Sequence, residues 1–294
     1  MKEVFTMWRH TQMVVLVALS AAIYAAVLIP FKGFAIIPGF TEIRPANVFP
    51  FVFGLLFGPA GAWGAAIGNL IGDFFGTLGI GSIFGFVGNF FLGFITYKMW
   101  GAYFRRGENM EPTVNTGKKL AVYIAISILA SAVCADWIAW FNDLIGFVPF
   151  AALGSIITVN NAIAGIVLGP ILLLVLYPRV KRWGLLWTEI MRPDEVSATR
   201  LGLLGNILMW VGGIGALVVG LILGLGLYDQ GFAAAGFASG GAGGAVLGII
   251  LLPFLILIVI ASFLLGGREQ VEAAEEEAGS PRVRYKDSPR GATP

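Results

Sequence analysis

Long apolar runs alternate with short polar connections along this chain, at a spacing that predicts eight membrane helices. The runs cover residues 13–30, 46–57, 60–76, 80–100, 120–141, 155–177, 201–228 and 244–265. A hydrocarbon core of about 30 Å takes roughly 20 apolar residues of helix. The second run is the exception. Its length of about 12 residues reaches only ~18 Å, Pro50 interrupts it, and its helix could start near Thr41 with a kink at Pro45. Gly58-Pro59 supplies the turn that follows, and Pro178-Arg179-Val180-Lys181-Arg182 ends the sixth run. Lys2, Arg9 and His10 precede the first run as in a signal peptide, but the run is longer than a usual signal core and reaches Phe31 without a cleavage site. It is expected to remain as a helix.

Composition agrees with the pattern. Of 294 residues 57% are hydrophobic and 12% charged, with a mean hydropathy of +0.85; soluble domains carry about 25% charged residues. The expected fold is an all-α integral membrane protein. It comprises a six-helix bundle over residues 1–183, a linker over 184–200, two additional transmembrane helices over 201–266, and a charged, disordered tail over 267–294. A net charge of +2, with no basic run interleaved with aromatics, gives no footprint for nucleic acid. One cysteine, Cys134, cannot form an internal disulfide, and one histidine, His10, cannot build a metal cage or a His-dependent triad. No cofactor motif is present.

Charge orients the spans. Sorted by alternating side, 17 of the 19 Lys and Arg fall with the termini, and only Lys32 and Arg44 fall opposite. Basic loops stay cytoplasmic, so both termini are expected inside a multi-pass protein of the cell membrane. Six spans would give the same sidedness.

Depth then follows from position. Glu42, Arg44 and Asn47 belong to the first outer loop or the start of the second helix, and Asn69 and Asp73 to the outer end of the third. Asn89 lies roughly 13 Å below the outer surface on the fourth helix. Asp136, Trp137 and Trp140 fall in the outer third of the fifth, and Asn160 and Asn161 in the first turns of the sixth. Polar groups in hydrocarbon are costly, and these converge on the outer half. An outward-opening pocket accounts for that convergence. Each member also has a plainer reading: asparagines as interhelical hydrogen bonds, Glu42–Arg44 as a loop ion pair, Asp73 as solvated near the surface, the tryptophans as an interface belt.

Small residues recur as well. Gly64, Gly68, Gly72 and Gly76 form one face, as do Gly81, Gly85 and Gly93, and Gly165 and Gly169; these read as internal packing. On the first helix Ala18, Ala22 and Ala26 form a stripe beside a second one, Ala21 and Ala25. Such a stripe packs internally or docks on another membrane protein.

The alanine stripe, the Glu42-Ile43-Arg44-Pro45-Ala46-Asn47 loop before a short helix, and Gly68-Asn69-Leu70-Ile71-Gly72-Asp73 together resemble the substrate-binding (S) component of an energy-coupling-factor transporter. The phrase is similar to that of the queuosine-precursor uptake subgroup, and the likeness covers residues 1 to about 183. The resemblance implies a six-span binder that captures a scarce micronutrient from outside, with a transmembrane T component and two ATPase subunits driving import and the binder tilting in the membrane to release its cargo. It implies that Ala18, Ala22 and Ala26 dock on the T component. The chain has no Gly-x-x-x-x-Gly-Lys-Ser/Thr loop, so ATP hydrolysis would come from the partners. Lys2 follows Met1 where metal importers of this class carry a histidine, which disfavours nickel or cobalt. The last two helices and the tail have no counterpart there. They could enlarge the partner interface or replace it.

The function expected is capture of a small vitamin-like or nucleobase-like compound. Glu42, Arg44, Asn47, Asn69, Asp73, Asn89, Asp136, Trp137, Trp140 and Asn160 line the site: carboxylates and amides for a heterocycle edge, a tryptophan for its face. The alternative is a membrane scaffold whose polar groups only lock the bundle. An intramembrane enzyme is disfavoured, because no nucleophile–base pair lies at depth.

Overall fold

The computed structural model describes residues 1–39, 41–104, 110–227 and 243–277. Helix α1 (Lys2–Thr6) and a 3-10 turn precede α2 (Thr11–Leu28). A further 3-10 turn leads to strands β1 (Ala35–Ile37) and β2 (Thr41–Glu42), which pair antiparallel. The turn Pro45–Asn47 then enters α3 (Val48–Phe57), and Gly58 separates it from α4 (Pro59–Asp73). Next come α5 (Gly81–Tyr103), α6 (Gly117–Leu144) and α7 (Phe150–Ile163), continued by a π-helical turn into α8 (Gly169–Arg182). Short α9 (Trp187–Ile190), then α10 (Gly202–Gly224), α11 (Gly243–Leu264) and α12 (Arg268–Glu277) complete the described chain.

Five helical stretches, Thr11–Gly33, Gly117–Leu144, Phe150–Ile190, Gly202–Gly224 and Ala245–Glu276, are long and apolar enough to cross a membrane. At 1.5 Å per residue α3 and α4 reach about 15 and 22 Å, while α5 has span length at 23 residues.

Three expectations are corrected. The chain is not purely α: a β-hairpin forms in the first long connection, where Ala35-Ile36-Ile37 favours an extended strand and Pro38-Gly39, with Gly39 at φ +80°, turns it back. The sixth helical segment runs from Phe150 and passes through Pro178 to Arg182. A proline fits helical φ and forfeits only one hydrogen bond, and burial of Tyr177 and Val180 carries the last turn onward. The tail is not disordered from Gly267: Arg268–Glu277 is helical, held by fully buried Val271 and an Arg268–Glu272 pair at 2.7 Å. The rest of that tail, 278–294, and the connection at 232–242 lie outside the described residues, as do Arg105, Arg106 and Tyr228.

Small residues set the helix spacing, as expected for Gly64, Gly68 and Gly72; Gly76 departs from that expectation, because α4 ends at Asp73 and Gly76 is exposed with nothing within 4 Å of where a Cβ would be. A Cβ at Gly64 would lie 2.4 Å from Ser20 Cβ, and one at Gly68 2.8 Å from the Ala21 carbonyl, so α2 and α4 pack backbone to backbone. Gly93 meets Ala62 in the same way. Of the two alanine rows on α2, Ala21 and Ala25 are buried in this contact, and Ala18, Ala22 and Ala26 are exposed. The pair α10–α11 packs elsewhere, on α6 and α7: Gly213 meets Val133 and Leu129, Gly248 meets Leu144, and Gly220 meets Phe150.

Candidate functional site

At the end of the bundle that carries the β-hairpin, four charged side chains fold inward instead of toward water. Lys32, from the turn after α2, reaches Glu42 Oε1 at 3.1 Å and Asp73 Oδ1 at 3.3 Å, and donates to Thr77 Oγ1 at 2.6 Å. Arg44 Nε pairs with the same Glu42 oxygen at 2.9 Å, and Arg44 Nη1 donates to Asn69 Oδ1 at 3.0 Å. Asn69 in turn donates to Asp73 Oδ2 at 3.3 Å. Two cations thus meet two carboxylates, all buried. Burial works against the Arg44 guanidinium, but Glu42, Tyr24 and Asp73 together outweigh it and raise its pKa. The hairpin makes the arrangement possible by turning β2 back over the bundle. Asn160 of α7 then holds β2 in place, donating to the Glu42 carbonyl at 2.8 Å and accepting the Arg44 N–H at 3.3 Å.

Beneath the charges lies a layer of amides. The Tyr24 hydroxyl from α2 contacts Asn47 Oδ1 at 2.7 Å and Asn89 Oδ1 at 3.0 Å. Asn47 Nδ2 donates to Asn161 Oδ1, and Asn89 Nδ2 to the Gly85 carbonyl at 2.9 Å. One phenol proton cannot serve two carbonyl oxygens, so one amide oxygen is left without a donor. Asn161 Nδ2 and Thr41 Oγ1 find no hydrogen-bond partner among the described residues. The layer therefore has an acceptor and a donor in surplus.

These groups surround two hollows. The entrance hollow encloses about 700 Å³, its open side included, and is lined by Arg44, Asn69, Asp73, Asn142 and the connection at 77–81. The inner hollow is lined by Thr41, Asn47, Asn89, Cys134, Asn160 and Asn161, and has room for about one water. Arg44, Ile138 and Ile157 line both and form the waist between them.

The structure brings together Glu42, Arg44, Asn47, Asn69, Asp73, Asn89 and Asn160. Asp73 is not solvated as its position suggested: it is 4% exposed, because Lys32 swings in to meet it. Asp136, Trp137 and Trp140 are not among the residues lining either hollow. Trp140 Nε1 donates to the Gly248 carbonyl of α11 at 2.9 Å, and Trp137 stacks on Phe91 at 5.7 Å. Asp136 is fully buried with neither oxygen partnered among the described residues. Its place on α6, three residues after Val133 and four before Trp140, puts it on the helix face that meets α10 and α11. Aliphatic Ile138 and Ile157, not a tryptophan, flank the waist. Sequence reasoning missed Lys32, Tyr24 and Thr77. Lys32 had a signal, as one of only two cations on its side; it was read as a topology marker alone.

A multi-pass helical bundle with a hollow at one end, lined by charged side chains, amides and aliphatic groups, is an arrangement suited to membrane transport components that bind a small molecule. The family model described as QueT transporter matches residues 14–178, more than half of the chain, and the chain belongs to that family, which is of the S-component type of energy-coupling-factor transporters. Neither the curated proteins nor the solved structures give a match. The matched region contains every residue of the two hollows and ends within α8, before α9 to α12.

Proposed function

We propose that this chain is the substrate-binding subunit of an ATP-driven importer, taking a small, water-soluble heterocycle from outside the cell through the hollow at the hairpin end. The observation that carries the reading is the amide layer with its surplus acceptor and donor, set between two aliphatic side chains. Neighbouring donor and acceptor positions suit the edge of a nucleobase-like or vitamin-like ring. The charge sorting supports an outward hairpin end and cytoplasmic termini, and the last two apolar runs, 201–228 and 244–265, support eight spans. A T component and two ATPases are the partners the family implies, and exposed Ala18, Ala22 and Ala26 offer them a smooth face that α10 and α11 leave uncovered. The subunit itself is not an enzyme.

The scaffold reading has one observation in its favour: the polar side chains largely pair with one another. The hollows and the surplus amide groups favour a ligand. Native mass spectrometry of the purified protein, followed by equilibrium binding of the co-purified compound, tests this. Asn69→Ala and Asp73→Ala are each expected to weaken binding at least tenfold, or about 1.4 kcal/mol. Unchanged affinity in both removes these residues from the site, and absence of any bound compound favours the scaffold.

A further inference from the structure

Lys98 lies within the family-matched region, fully buried near the end of α5, yet its ion-pair and hydrogen-bond partners all come from outside that region. Glu3 of α1, itself fully buried, forms the ion pair. The Lys98 ammonium also donates to Ser197 Oγ at 2.9 Å, in the linker, and to the Leu265 carbonyl at 3.1 Å, just after α11. Glu3 accepts both the Ser197 N–H, at 3.1 Å, and its hydroxyl, at 3.0 Å. Helix α12 closes the remaining side. Gln270 Nε2 donates to the Tyr97 carbonyl at 3.1 Å and sits so near Gly101 that a Cβ there would lie 2.2 Å from it. Three segments far apart in sequence, residues 1–10, 191–199 and 265–277, thus meet on one ammonium.

Helix α5 also carries Asn89 into the inner hollow, nine residues or roughly 13 Å from Lys98. From Gly88 to Gly93 it packs without slack on its neighbours. A Cβ at Gly93 would lie 2.8 Å from Ala62 Cα, and one at Gly88 2.8 Å from the Cys134 carbonyl and 2.9 Å from Ile138 Cγ1. A shift of α5 is therefore transmitted to Cys134 and Ile138, which line the inner hollow.

We propose that the three flanking segments act as one clamp, closed on Lys98, that positions α5 for ligand binding, with Lys98 and Glu3 as positioning residues. The segments 191–199 and 265–277, which follow the family-matched region, are then part of the binding device and not appended to it. For its effect on binding the clamp rests on the reading above, but its test needs no ligand, so either can fail alone.

Cys134, the sole cysteine, is buried at the floor of the site and reports on it. The experiment measures N-ethylmaleimide labelling of Cys134 by mass spectrometry in the full chain, well below its melting temperature. Lys98→Met and Glu3→Gln are each expected to label about tenfold faster, because each breaks the ion pair on which the three segments meet. The double variant Lys98→Met/Glu3→Gln removes both charges together with the contacts that close the clamp and is expected to label about as fast as the single variants; a return to the wild-type rate would trace their effect to an unpaired charge alone and overturn the clamp. Met209→Ala, a buried truncation in α10, serves as the control and is expected to label at the wild-type rate despite its thermal cost. Single variants that remain monodisperse and label like wild type overturn the clamp, as does Met209→Ala labelling as fast as they do. If the single variants do not fold, Gln270→Ala decides: labelling about threefold faster supports the clamp, and a wild-type rate overturns it.

Discussion

Glu42 is the side chain on which the charged layer turns, and neutralising it gives the sharpest test of that layer. It holds Lys32 at 3.1 Å and Arg44 at 2.9 Å while only 1% exposed. Glu42→Gln keeps its shape but leaves two buried cations facing Asp73 alone. Breaking a buried ion pair by removing one partner costs about 3–5 kcal/mol, whereas replacing the whole pair with neutral groups is close to neutral. The lower end applies here, about 3 kcal/mol, because Lys32 keeps Asp73 and Thr77. At roughly 2–4 °C per kcal/mol for a chain of this size, the melting temperature should fall by about 6–12 °C. Glu42→Gln/Lys32→Met restores the charge balance and should recover more than half of that loss. Unfolding can be followed with a fluorogenic maleimide, since Cys134 is the only thiol and is buried. A loss below about 1 kcal/mol, the size of a surface ion pair, would refute the reasoning. Equal losses in the single and double variants would do the same.

Other outcomes follow from the same geometry. Tyr24→Phe removes the hydroxyl shared by Asn47 and Asn89 and should cost about 1–3 kcal/mol in the same melt; no change would mean that water takes its place. Gly64→Val should cost at least about 1–3 kcal/mol, because its Cβ would lie 2.4 Å from Ser20 Cβ, and a neutral result would show that α2 can move away from α4. Ala22→Phe touches an exposed face, so the melting temperature should hold while co-purification with the partner subunits is lost; intact co-purification would move the docking face elsewhere. Burial tends to raise the Glu3 pKa, but Lys98 and the chain amine outweigh it and hold it at about 2, below the ordinary 4.5. Its stabilisation is therefore complete above about pH 4.5 and lost as the pH falls toward 2. The stability gap between wild type and Glu3→Gln should be full at about pH 5, where the chain amine is charged, and shrink below about pH 4; a gap as large at pH 3 as at pH 5 would contradict this.

Much of the pocket could be read from residue order, because a membrane turns sequence position into depth. Asn69 and Asp73 of α4, Asn89 of α5 and Asn160 of the continuous α7–α8 segment all fall in the outer half of their helices, and helices that carry polar groups in the same half can bring them together. Rotation about each helix axis is not encoded in that way. Asp136, Trp137 and Trp140 have the right depth, but α6 turns them toward α11 or Phe91. The loop charges were harder still. Glu42 and Arg44 carried two readings, site lining and loop ion pair, and the β-hairpin, fixed by Asn160 across more than a hundred residues of sequence, draws them inside as a pair. Glu3 and Lys98 were hidden for the same reason: Lys98 counted only as one of the cations on the side of the termini, and the burial of both depends on Ser197 and Leu265 arriving from distant parts of the chain.

Helix α2 shows how a membrane segment acquires sides at all. Its two alanine rows have the same chemistry, and hydropathy does not distinguish the row taken up by α4 from the row left open. In a lipid as apolar as the protein interior, faces are sorted by volume and not by polarity. Gly64 and Gly68 on the neighbouring helix decide which row is buried, because only there can two backbones come close enough. In other chains of this kind, periodicity in side-chain size along the first helix, read against the glycines of the helix that packs on it, should identify the open face where hydropathy alone does not.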